Sequence, residues 1–181
     1  MFTSRPIPES HPLHRLFRGL AEHTFHTELG IGDPRLVGYV AGLLARFVPA
    51  ENLGWRDAEG RRLTELSAML AAVADAPEGD PRREGHRHVG DVALFLSGVF
   101  PEALAPPAGR RAQSHVVLNV HQQGKRAYYL ASTYEGDDAP VLRRLSAEFD
   151  LCAYGLSRVR REWEGLPAQM AGRPGPPILG S

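Results

Sequence analysis

Cys152 is the only cysteine among 181 residues, so no intrachain disulfide can form, and a secreted disulfide framework or a cysteine-based zinc site is excluded. Lysine is almost as scarce. Lys125 is the only one among 21 basic residues, and with abundant Ala, Gly and Pro this arginine bias reads as the codon usage of a high-GC, bacterial genome rather than as phosphate recognition. Excess charge of either sign is missing too, because 21 acidic residues balance the basic ones. No electrostatic footprint for nucleic acid or an anionic membrane is left, so neither is expected as a partner.

Long apolar runs are absent as well. The longest, near Val92 to Phe100, falls well short of the roughly 20 residues a membrane span needs. Met1 to Pro12 holds Pro6, Pro8 and Pro12 and no apolar core of a secretory signal, so a cytoplasmic location is expected. There is no Gly-x-Ser-x-Gly elbow, phosphate loop or dinucleotide fingerprint, which removes the common hydrolase, kinase and dehydrogenase readings.

What is present is helical periodicity. Leu13, Leu16, Phe17, Leu20 and Phe25 predict a helix from about Leu13 to Leu29 that Gly30 stops. Asp33 should cap a second helix, with Pro34 in its first turn. Leu36, Val37, Val40, Leu43, Leu44 and Phe47 cover so much of its circumference that it belongs in the core, where Gly38 and Gly42 would admit a neighbouring backbone.

Pro49, Gly54 and Gly60 mark a loop over 49–61, and Leu63, Leu66, Met69, Leu70 and Val73 a short third helix ending before Pro77. A Glu-Gly-Asp-Pro linker at 78–81 leads into a fourth helix that carries Glu84 to Val99 and ends near Pro101, before a break at 105–109. Residues 114–132 alternate as in a hairpin yet also keep one helical face. A helix is favoured, since an isolated two-stranded hairpin is marginal. Leu142, Leu145, Phe149, Cys152, Leu156, Val159 and Trp163 recur at steps of three and four, predicting one helix from Pro140 to about Glu164.

The expected fold is therefore a single all-α domain, a bundle of about six helices over 13–165. An extended leader at 1–12 and a disordered Pro/Gly-rich tail at 166–181 flank it.

The fourth helix holds the main candidate site. Glu84, His88 and Asp91 share a face with Phe95 and Val99, a stripe that is either a binding site or a buried ionic network. As a network, Asp91 would pair with Arg87 one turn back while His88 bonds a backbone carbonyl or a carboxylate. As a site, these are ligand types for zinc, iron or manganese, with His23, His26 or Glu28 on the first helix completing the shell. The spacing only half fits. A di-iron bundle uses Glu-x-x-His, whereas Glu84 with His88 and Glu22 with His26 are each one residue too far apart.

The remaining groups read as structural. Arg18, Glu22 and His26 form a solvated row, Cys152 occupies a core position, and Arg143, Arg144, Arg158, Arg160 and Arg161 interleave with Glu148, Glu162 and Glu164 as a salt-bridged surface. Gly124-Lys-Arg126 with Tyr128 and Tyr129 has the residue types of a phosphate or base contact without the surrounding positive charge.

Three stretches resemble an uncharacterised family of bacterial proteins: Arg87-His-Val-Gly-Asp with Leu94-Phe95 and Gly98-Val-Phe-Pro-Glu102; Gln123-Gly-Lys-Arg-Ala-Tyr128; and Leu145-Ser with Phe149, Cys152, Gly155-Leu156 and Val159-Arg-Arg-Glu-Trp163. The resemblance spans about 13–165 and implies a shared compact helical fold without an activity. The function expected from all this is a non-enzymatic helical module that binds a protein partner or itself, with no cofactor. The alternative is a metal-dependent or small-ligand-binding protein built on Glu84, His88 and Asp91 with His23 or His26.

Overall fold

The computed structural model describes residues 8–56, 62–63, 65–104 and 110–166; the expectations for residues 1–7, for the break at 105–109 and for 167–181 lie outside them. The fold is all-α. Its helices are α1 (Pro12–His23), α2 (Pro34–Phe47), α3 (Leu66–Asp75), α4 (Asp80–Gly98), α5 (Arg110–Ala131), α6 (Ala139–Ala147) and α7 (Phe149–Gly165).

Local chemistry sets the boundaries. The Asp33 carboxylate accepts from the Arg35 amide at 2.9 Å, with Pro34 in the first turn, which satisfies an amide that α2 cannot pair internally. At the start of α1 the cap is His11, whose Nδ1 accepts from the Leu13 amide. The first helix does reach Glu28, but its last turn, Thr24–Glu28, is a π turn, closed by the Leu29 amide on the Thr24 carbonyl; Gly30, at φ +67, ends it.

Several boundaries differ from expectation. Helix α4 begins inside the anticipated linker, because Pro81 fits its first turn and Gly79, at φ +94, makes the bend before it. Leu63 lies in a two-residue antiparallel pairing of Trp55–Arg56 with Arg62–Leu63, so α3 starts only at Leu66. Segment 114–132 is helical up to Ala131, the last residue of α5.

The predicted long C-terminal helix is two helices. Glu148, at φ −105 and ψ +24, interrupts it, while its amide still donates to the Arg144 carbonyl and its carbonyl still accepts from Cys152. A break confined to one residue's dihedrals leaves the three-four spacing of apolar residues intact, which is why periodicity alone reads straight through it. Gly155, by contrast, sits inside α7.

The core is one cluster in which Leu36, Leu43, Phe47, Leu94, Tyr128, Leu142, Phe149 and Leu156 are fully covered. Close helix approach does not use Gly38 and Gly42, where a Cβ would meet nothing within 4 Å. It uses Gly90, against the Tyr128 ring; Gly124, against Phe149; Gly155, against Phe25; and Gly98, against α7. The pairings Gly90 with Tyr128 and Ala93 with Gly124 place α4 and α5 antiparallel.

Gly98→Ala is expected to destabilise the fold by about 1–3 kcal/mol, because its Cβ would stand 2.5 Å from Leu156 Cβ and 2.8 Å from the Ala153 carbonyl oxygen, so α7 itself must move. Gly38→Ala, exposed within α2, should instead gain about 0.5–1 kcal/mol from helix propensity. Urea unfolding of the pair checks this; equal effects at the two positions would contradict the packing described.

Candidate functional site

Asp91 is the polar centre of the bundle. Its side chain is fully buried, where an unpaired carboxylate would be prohibitively costly, and three donors from two other helices meet it. Tyr39 donates to Oδ1 at 2.7 Å, Tyr128 donates to the same oxygen at 2.8 Å, and Arg46 Nη1 donates to Oδ2 at 2.7 Å. Tyr39 and Arg46 lie two turns apart on α2, so one face of that helix presents both to α4; Tyr128 arrives from α5 across the bare Cα of Gly90. One carboxylate thus ties three helices together.

The electrostatics follow. Burial, then the Asp91 charge, pushes both tyrosine hydroxyls well above their ordinary range, so they stay protonated donors. The same carboxylate holds the Arg46 guanidinium above its usual range against the opposing cost of burial, and that guanidinium also lies 5.8 Å from the Tyr39 and Phe47 ring centroids.

His88, one turn before Asp91, is equally hidden. Burial lowers its pKa to about 4, outweighing the Asp91 charge; Arg46 lowers it further, and a backbone hydrogen bond with Leu53 opposes the shift. The ring packs edge-on against Phe47 at 6.0 Å between centroids. At neutral pH it is an uncharged imidazole in the core.

Glu84 turns away from this centre. It pairs with Arg87 at 2.6 Å and Arg83 at 3.1 Å, and both arginines also reach Asp138 beyond α5. The local Arg87–Asp91 pair is therefore not formed, because Arg46 from α2 can enter the core where Arg87, on the wet side of α4, pairs with Glu84. Glu84, His88 and Asp91 share a helix face without converging on a ligand shell, and the three donors occupy Asp91.

The α1 candidates part company as well. His26 lines an open cleft of about 340 Å³ between the first helix and α2, with Arg18 and Glu22 on its wall and Pro34, Val37 and Gly38 opposite. His23 faces α7. Its ring lies with the Glu28 and Glu162 carboxylates, one ligand atom from each within 4.8 Å of the others, the one metal-competent group of three or more among the described residues. His23 and Glu28 were legible as ligand types. Glu162 was not, since nothing local links it to a residue more than 130 positions earlier.

The other groups behave as structure. Cys152 is buried, and burial raises its thiol pKa to about 12. Arg144 bridges Asp33 and Glu148, Arg158 pairs with Glu28, and Arg160 with Glu102 and Glu164. Lys125 binds Asp150 while Tyr128 is buried and Tyr129 exposed, which splits the residues of the possible phosphate contact. Among the described residues no helix is long and apolar enough to cross a membrane. Compared with known proteins, the chain matches no family model, no curated sequence and no solved structure.

Proposed function

We propose that this chain is a non-enzymatic helical module that binds a protein partner through the cleft between α1 and α2. The cleft itself carries the reading: about 340 Å³, lined by Arg18, Glu22, His26, Pro34, Val37 and Gly38. Its volume is within small-ligand range, but a small molecule's usual site encloses most of its ligand, and this cleft opens to solvent. A partner's segment brings its own surface to cover the open side, placing an apolar side chain over Val37 and Gly38 and polar groups against the Arg18–Glu22 pair. The buried network supports the reading from inside, since Asp91 is committed to Tyr39, Tyr128 and Arg46 and braces α2, one wall of the cleft, against α4 and α5.

Gly38→Leu tests it, because a side chain there enters the cleft without meeting the core. Cross-linking with the full chain should capture a partner, or a second copy, that the variant loses at least tenfold, while Arg143→Glu, on exposed α6 surface, keeps it. The variant's circular dichroism and melting should match or exceed the parent's. Capture unaffected by Gly38→Leu would overturn the assignment of the cleft.

A further inference from the structure

We propose that His23, Glu28 and Glu162 form a binding site for a divalent first-row transition metal, with zinc the expected occupant. The three come from different parts of the chain: the end of α1, the last residue of the π turn and the final turns of α7. One ligand atom from each lies within 4.8 Å of the others. Ligands on a tetrahedral zinc stand about 3.3 Å apart, so a closure of up to about 1.5 Å by side chains that reach the surface brings the three into the first coordination sphere.

The π turn makes the arrangement. In an α-helix, residues five apart point about 140° away from each other. The i to i+5 register of Thr24–Glu28, closed by the Leu29 amide on the Thr24 carbonyl, returns Glu28 to the side of His23. Phe25, fully buried, enters the notch over Gly155, where a Cβ would lie 2.6 Å from the ring, and so seats the turn on α7 about two turns before Glu162. Short π segments recur at functional positions, and here the extra residue aligns two ligands while its neighbour fixes them to the third.

Chemistry agrees with the geometry. One imidazole and two carboxylates form a mixed nitrogen and oxygen set suited to zinc or manganese. Arg158, 2.8 Å from Glu28, supplies the positive charge that now faces these carboxylates. Bound metal replaces part of that charge and staples α1 to α7. Three protein ligands leave at least one coordination position for water, as in open rather than closed zinc sites.

Isothermal titration of the purified full chain with zinc alone, and with manganese alone, tests the proposal. One equivalent of zinc should bind at pH 7.5. His23→Ala and Glu162→Gln should each weaken it at least tenfold, while His26→Ala and Gly38→Leu leave it unchanged. Affinity should fall in acid, where protons compete with the metal for the ligand atoms. Both ligand variants lie on accessible surface, and unchanged circular dichroism shows that they fold. No saturable zinc or manganese binding, or binding that His26→Ala removes and His23→Ala does not, overturns the site. Since Gly38→Leu acts on the cleft and not here, failure of either proposal leaves the other standing.

Discussion

Asp91→Ala is expected to lower unfolding free energy by about 3–5 kcal/mol, the largest effect of any single substitution considered for this fold. Two things are lost at once. The three hydrogen bonds disappear, and Arg46, only 18% exposed at its side chain, is left with its charge between the Tyr39 and Phe47 rings. Both tyrosine hydroxyls then sit in the core without the acceptor that holds them. Most of the cost comes from stranding the partners rather than from the pair's net worth. Arg46→Met added to Asp91→Ala should therefore recover a large part of the loss, giving a coupling energy of about 2 kcal/mol or more in a double-mutant cycle. Urea denaturation measures both. A single-variant loss under about 1 kcal/mol, or additive effects, would mean that the Arg46–Asp91 pair is solvated and not a brace.

The contrast between Arg46 and Arg87 shows how far sequence reaches into this site. That Asp91 would be buried was legible, because it falls on the same helical face as Phe95 and Val99. Its partner was not. Local spacing offers Arg87, whereas the partner that forms, Arg46, is 45 residues away and is selected by the packing of α2 on α4. A usable signal did exist: Tyr39 and Arg46, two turns apart on an otherwise apolar helix, are polar groups that such a helix buries only with an acceptor opposite them. Elements were easier to read than contacts. The Asp33–Pro34 cap and the apolar run of α2 sit in neighbouring residues, as does the Gly30 stop. The Glu148 break and the π turn leave no mark on hydrophobic spacing, so the convergence of His23 with Glu28 could not be derived from a period of 3.6.

His88 converts the same burial into a pH dependence. Its pKa is about 4 in the folded chain and close to 6.5 when unfolded, so between these values the unfolded state binds the extra proton. Stability from keeping the ring neutral is fully present above about pH 6.5 and drains away as pH falls toward about 4. The total is about 3 kcal/mol, of which about 2–3 kcal/mol is lost by pH 4.5. Two other contributions must be separated. His86, depressed by burial and by Arg82 and Arg126, acts in the same direction, while the carboxylates of Asp33 and Asp150, held low by Arg144 and Lys125, lose their share mainly below the window. His88→Gln isolates the imidazole, since the amide keeps hydrogen-bonding capacity without a titrating group. The stability gap between parent and variant should move by about 2–3 kcal/mol between pH 7 and pH 4.5, in the direction that favours the variant in acid. A gap that stays constant over this range would show that the ring reaches water when protonated, and would remove His88 from the dry centre of the bundle.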